Sequence, residues 1–355
     1  MAAQLQNLPI FKGSKAFDTL EKHLTNDDGY LAQANVTTCV LWDSTETQAL
    51  AVASMVQCSP SLAYCFLAET SETVVNKRMT VENGTNTSER VQHLKVVTIE
   101  DGLTKFIDLS AEPLAKVHSK VEMRGALEHV VERAASISIG ERNIDISKNV
   151  TVDLLEPAGA KQTETPWQLE IWRDRLGFIV DDRADLVQVR IEHVCALRAA
   201  LAQQQQWQPT EYSICEDTDQ LATIDQRVTG VQRAAYLRWA CSRASARGRI
   251  AMLNESQLPC GLCLVLGGTL AALYAESDAV MRALLDDAIA AWPREQPLVT
   301  TTRSDGPLYK LLTESANQEA TGLTERRVRR LHTRTPPACI QWDKVHALNA
   351  AVHLL

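Results

Sequence analysis

The sequence predicts a mixed fold, α/β or α+β, in two tandem domains, each a mixed central sheet flanked by helices. Three observations carry this. The chain has 355 residues, and a single domain usually takes ~100–200. Short β-patterned runs alternate with segments of helical period. A polar break, Gln203–Gln206 followed by Trp207-Gln-Pro, divides two stretches that share the order strand–strand–helix–strand–helix–strand. The domains are therefore expected over residues 1–200 and 201–355, with the seam near 198–210.

In the first half, Phe17, Leu20 and Leu24 give 14–24 a helical face, and Asn26-Asp-Asp-Gly29 ends it. Val36–Trp42 reads as a strand or a short helix. Gln48–Cys58 and Ser61–Ala68 read as strands joined across Ser59-Pro60. Residues 70–91 are polar and poor in β-formers, so a surface insertion is expected. Leu94–Glu100 and Phe106–Ser110 follow as strands. Residues 120–135 form an amphipathic helix on Val121, Leu127, Val130, Val131 and Ala134. Asn143–Leu155 reads as a strand. Glu164–Leu176 reads as a helix capped by Gly177, and Asp185–Val194 as the closing strand.

The second half opens with a helical stretch, Asp225–Ser242. Strands are expected at Arg249–Leu253, Leu262–Leu266 and Leu270–Tyr274, the last two joined by Gly267-Gly268. A helix at Ser277–Trp292 leads to a strand at Pro297–Thr301. A helix at Leu308–Ser315 leads to a strand at Val328–Arg334, and the chain closes with 340–355.

Composition excludes several classes. Apolar residues are 45% and charged residues 23%, which rules out a disordered or collagen-like chain. A net charge of −8 argues against nucleic-acid binding. Arg326, Arg327, Arg329 and Arg330 form the one basic cluster, expected to be a solvated edge rather than a phosphate patch. Gly261–Tyr274 is too short and too glycine-rich to span a membrane. The first residues show no basic stretch ahead of an apolar core, so a cytoplasmic location and no membrane contact are expected. Nine cysteines without framework spacing are expected to be reduced. Cys260 and Cys263 form a single CxxC, which leaves a tetrahedral zinc site half empty, so no metal is expected. No P-loop, nucleophile elbow, HExxH or dinucleotide fingerprint occurs.

Three stretches of the second half carry a resemblance. Asp225-Gln-Arg-Val-Thr-Gly230-Val-Gln-Arg233-Ala-Ala-Tyr-Leu237 fits D-x4-G-x2-R-x3-L. Leu273-Tyr274-Ala275-Glu276-Ser277-Asp278 leads from a strand into a helix, and Arg330-Leu-His-Thr-Arg-Thr-Pro336-Pro337 precedes Trp342-Asp-Lys-Val345. Together they resemble the C-terminal, YitH/HolE-type domain of a subgroup of GNAT-superfamily N-acetyltransferases. In the first half, Trp172-Arg-Asp-Arg-Leu-Gly177-Phe178 is similar to the aromatic-x4-Gly-Phe end of a GNAT helix.

The resemblance implies two tandem GNAT-like domains and an acetyl-CoA-dependent N-acyltransferase acting on a small-molecule or peptide amine. Acetyl-CoA, or another acyl-CoA, would be the co-substrate. In that family a glycine-rich loop before a helix N-terminus holds the pyrophosphate, and splayed strands hold the pantetheine arm. Here the loop is degenerate. Residues 111–119 contain no glycine, and only Arg124-Gly125-Ala126, within the expected helix, resembles the motif. Lys116, Ser119, Lys120, Arg124 and Gly125 are the cofactor candidates, against a solvated loop that has lost its grip. Asp108, in the strand leading to that loop, is the candidate base. Trp172 is expected as a packing anchor, because an indole cannot protonate a leaving thiolate. Asp225, Arg227 and Arg233 are candidates for an acceptor site through bidentate ion pairing, or else a structural staple. The alternative from another class is a non-catalytic GNAT-like protein that binds a metabolite or a protein partner.

Overall fold

The β-branched run Val36–Trp42 forms strand β1, buried along its whole length. Its neighbours explain why. In the computed structural model β1 pairs antiparallel with β2 (Ala49–Ser59) and parallel with β5 (Val91–Asp101). The structure describes residues 36–85, 91–101, 123–140, 148–156, 167–180, 185–203, 212–241, 246–266, 268–293, 295–318, 321–334 and 340–348. The helix expected over 14–24 and the strand expected over 106–110 lie outside them. The chain divides into two compact units, Met1–Val150 and Thr151–Leu355.

In the first unit the strand order is β3-β2-β1-β5-β4-β6, with β3 at Leu62–Thr70, β4 at Lys77–Asn83 and β6 at Arg124–Gly125. Helix α1 (Ala126–Ile139) packs on β1, β2 and β3. Its buried face is Leu127, Val130, Val131, Ala134 and Ala135, spaced at three and four residues. Gly140, at φ 75°, stops it.

Two expectations are corrected here. The stretch read as a surface insertion holds a strand, β4, paired antiparallel with β5. Met79 is fully buried and Val74 nearly so, but Lys77, Arg78 and Thr80 around them hide the alternation. The expected helix 120–135 begins later, at Ala126, so Arg124 and Gly125 precede the helix rather than lying in it.

In the second unit the order is β10-β11-β12-β13-β16-β14-β9-β15-β7, with β8 beside β15. These strands are β7 (Asn149–Leu155, in this unit from Thr151), β8 (Ile179–Val180), β9 (Leu186–Ile191), β10 (Tyr212–Cys215) and β11 (Ala246–Leu253). They continue as β12 (Pro259–Leu266), β13 (Thr269–Ala275), β14 (Leu298–Arg303), β15 (Leu323–His332) and β16 (Val345–Leu348). The helices are α2 (Trp167–Glu170), α3 (Val194–Gln203), α4 (Thr218–Thr229), α5 (Ala234–Cys241), α6 (Asp278–Ala290) and α7 (Pro307–Gln318). The expected helix 164–176 is α2 followed by a π-helical turn, Ile171–Arg175. Helix 225–242 is two helices, because Gly230 adopts φ 70° between α4 and α5.

The core of this unit joins Leu197 and Leu201 of α3 to Leu270, Leu273, Leu284, Leu285 and Leu312. Residues 186–201 therefore pack with the second half of the chain. The unit boundary accordingly falls at Val150, ahead of the expected seam near 200. The polar break at 204–210 itself lies outside the described residues.

The basic cluster is a solvated edge only at Arg326 and Arg327, and Arg329 and Arg330 are drawn inward. Arg330 makes a bidentate pair with Asp153, at 2.8 and 2.6 Å, and both side chains are almost fully buried. Arg329 pairs with Glu156 at 2.6 Å and Arg327 with Asp185 at 3.0 Å, while Arg326 donates to the Glu156 carbonyl. These guanidiniums tie β15 to its own unit.

Candidate functional site

The site begins with the N-terminus of α1. Gly125 is its N-cap, in extended backbone (φ −70°, ψ 157°), and no side chain caps the first-turn amides. Such amides carry the positive end of the helix dipole. Gly125 pairs with Arg78 and Arg124 with Met79 in the β4–β6 ladder, which fixes the entry of the chain into the helix. Arg124 is exposed and forms an ion pair with Glu132. Of the cofactor candidates the structure brings Arg124 and Gly125 to this helix start. Lys116, Ser119, Lys120 and the candidate base Asp108 lie outside the described residues.

The second unit has a strand–helix junction of the same kind, and it is filled by the chain itself. β13 and β14 run parallel and pair only at Thr269–Val299 and Leu270–Thr300. Beyond that they part, and β16 enters the opening. Ala272, Leu273 and Tyr274 pair with Leu348, Ala347 and Val345, and Thr301 pairs with Leu348. All four residues of β16 are buried. At the start of α6, the Ser277 hydroxyl caps Val280 N–H at 3.4 Å. Glu276 just before it pairs with Lys344 at 2.6 Å and Arg227 at 3.0 Å. Asp278 lies in the first turn, and Glu276 is matched by those two cations.

Asp225 and Arg233 meet, and Arg227 stands apart. The Arg233 guanidinium donates to both Asp225 oxygens, at 2.7 and 2.6 Å, and to the Tyr274 hydroxyl at 3.2 Å. The side chains are 0% and 1% exposed, so this pair has no surface to offer an acceptor substrate in this conformation. Burial pushes the Tyr274 phenol up to about 12. Arg227 lies outward, donating to the Pro259 carbonyl at 2.7 Å. The staple reading fits the geometry.

A polar cleft that the sequence did not reveal lies in the first unit, along α1. It encloses about 540 Å³ and is lined by Val81, Glu82, Asn83 and Leu94 on one side, and His129, Glu132, Arg133 and Ser136 on the other. The four helix residues recur at i, i+3, i+4 and i+7, one face of α1. That periodicity was visible, but it is polar and reads as a solvent face until β4 is known to stand opposite. His129 Nε2 donates to the Met79 carbonyl at 2.9 Å. Burial holds its pKa below the ordinary value.

Burial also lowers the pKa of His93 and of His346, the latter despite Asp278 and Asp343 nearby. A histidine kept neutral by the fold stabilises it fully above the unfolded pKa of 6.5. That contribution is lost as pH falls from there toward the lower folded value, because the unfolded chain then binds more protons. The urea midpoint is therefore expected to drop between pH 7.5 and pH 5.5. A flat midpoint over that window contradicts the assignment.

Trp172 is buried and meets Phe178 edge to face, with ring centroids 4.9 Å apart, as a packing anchor should. Cys260 and Cys263 are both buried in the core of this unit. Cys260 donates to the Ala251 carbonyl at 3.3 Å, and burial raises the Cys263 thiol to about 12. Among the described residues no helix is long and apolar enough to cross a membrane.

Residues 25–180 match a family model described as "Domain of unknown function (DUF7596)". No curated protein matches the chain by sequence. Among solved structures, a putative acetyltransferase from Pyrococcus horikoshii is 10% identical over 99% of this chain and 90% of its own, with a TM-score of 0.54. A tandem GNAT protein from the clavulanic acid biosynthesis pathway is 10% identical over 81% of this chain and 79% of its own, at 0.43. A GCN5-related N-acetyltransferase from Sphaerobacter thermophilus is 9% identical over 90% and 86%, at 0.41. The likeness to the Pyrococcus protein is one of fold and runs the length of the chain. The fold class is the one expected, mixed α/β.

Proposed function

We propose that the chain is an acyl-CoA-dependent N-acyltransferase of the GNAT type, with the co-substrate held by the first unit alone. The observation that carries this is the start of α1, where Gly125 caps the helix without a side chain and Arg124 stands beside it. A diphosphate needs backbone amides together with positive charge; Gly125 leaves these amides without a side-chain cap, and the charges beside them are Arg124, paired with Glu132, and Glu128 of the first turn. At the start of α6 the Ser277 hydroxyl already takes the Val280 amide, and the opening between β13 and β14 holds β16. Lys116, Ser119 and Lys120 add donors and charge in the segment leading to α1, and Asp108 is the base that takes the proton from the attacking amine. The acceptor is a small-molecule or peptide amine, and the reaction belongs in the cytoplasm.

Calorimetric titration with acetyl-CoA is expected to give one site per chain and to raise the melting temperature, since a ligand bound only by the native state must stabilise it. Gly125→Asp puts a carboxylate where the diphosphate would sit, and should abolish the rise. Arg124→Ala removes only an exposed ion pair, worth about 0–1 kcal/mol, and should weaken binding while the fold stands. Two sites per chain would contradict the assignment to one unit. No stabilisation at millimolar acetyl-CoA would end the catalytic reading in favour of a GNAT-like binding protein.

A further inference from the structure

We propose that the cleft between α1 and β4 is a binding site for a small organic monocarboxylate, with Arg133 as the group that holds it. This goes beyond the acyl-CoA reading and does not depend on it. The observation is a charge without a counter-charge. Arg133 lines the cleft and is half-buried. Its Nη2 donates to the Gln92 side-chain oxygen at 3.2 Å, and its Nε is buried with no partner. Among the described residues no carboxylate pairs with it.

The other charges of the cleft are already matched. Glu132 pairs with Arg124, and Glu82 lies 3.2 Å from Lys95. His129 has its Nε2 proton on Met79 and is held neutral, so it adds no positive charge. One guanidinium therefore remains, and a guanidinium withdrawn from water is costly unless an anion meets it. Its planar set of five donors suits a carboxylate.

The rest of the lining selects among anions. With Glu82 and Glu132 each matched by its own cation, Arg133 leaves one positive charge for a ligand to meet, which suits a single negative charge. Asn83 and Ser136 offer neutral hydrogen bonds, and Val81 and Leu94 offer an apolar wall. That combination fits a carboxylate attached to a short hydrocarbon, rather than inorganic phosphate.

The test is thermal unfolding of the full chain with sodium butyrate, sodium acetate, inorganic phosphate and sodium chloride at matched ionic strength, without CoA. Butyrate should raise the melting temperature saturably and more than acetate, while phosphate tracks chloride. Arg133→Met keeps the apolar stem and removes the charge. It should lose the butyrate effect, and its ligand-free melting temperature should equal or exceed that of the parent, because an uncompensated charge has gone. Ser136→Phe leaves Arg133 in place and fills the cleft, and should also lose the effect. Three results would overturn the proposal: butyrate behaving as chloride, phosphate stabilising as strongly as butyrate, or a butyrate effect that survives both substitutions. A ligand-free Arg133→Met protein that unfolds readily would refute the uncompensated charge, and with it the site.

Discussion

Asp225→Ala is expected to destabilise the second unit by about 3–5 kcal/mol, the cost of leaving a buried ion without its partner. Arg233 is 0% exposed and cannot turn out to water without opening the α4–α5 corner. The Tyr274 hydroxyl, kept neutral by burial, also contacts that guanidinium but does not balance a charge. The double change Asp225→Leu with Arg233→Met should recover most of the loss, since replacing a buried pair by apolar groups is often neutral or better. Urea denaturation of the two variants checks both statements. A loss below about 1 kcal/mol for Asp225→Ala would mean that the pair opens to solvent, and the acceptor-site reading of these residues would return.

Met79→Ala should destabilise the first unit by about 2–5 kcal/mol, the range for truncating a large buried side chain when the cavity closes only in part. Were 70–91 the polar insertion its composition suggests, the same change would fall within about 0.5 kcal/mol. Met79 is 0% exposed, and its carbonyl accepts the His129 hydrogen bond. The variant should therefore disturb the α1 cleft as well as the sheet. Denaturation midpoints measure the first effect, and the His129 ring signals in an NMR titration measure the second.

What the sequence made legible followed from period and from punctuation. The β2–β3 hairpin was readable because both strands are largely apolar and Pro60 sits between them. Helix α6 was readable because Val280, Met281, Leu284, Leu285 and Ala288 repeat at helical spacing behind the Ser277 cap. The failures have equally local reasons. β4 escaped because its buried residues, Met79 among them, are flanked by long charged side chains. The start of α1 was set six residues too early, since Val121 and Met123 extend its apolar period in sequence while Arg124–Gly125 is held as a strand by β4. The basic run 326–330 looked like surface because its acidic partners Asp153, Glu156 and Asp185 come from far along the chain. Arg133 was invisible as a site residue for the opposite reason. One arginine on a polar helix face is ordinary, and what is informative is that no carboxylate among the described residues pairs with it.

The seating of β16 between β13 and β14 makes the second unit vulnerable to truncation. Both neighbours precede it in the chain, so until Val345–Leu348 arrives they present parted backbone edges near the middle of a sheet. Exposed edges of this kind recruit strands from other molecules. A chain cut short anywhere before Val345 would thus yield an aggregating product in place of a shortened, folded protein. Because β16 pairs with strands distant in sequence, its docking should also be a late, slow step of folding, during which a chaperone has the most to protect.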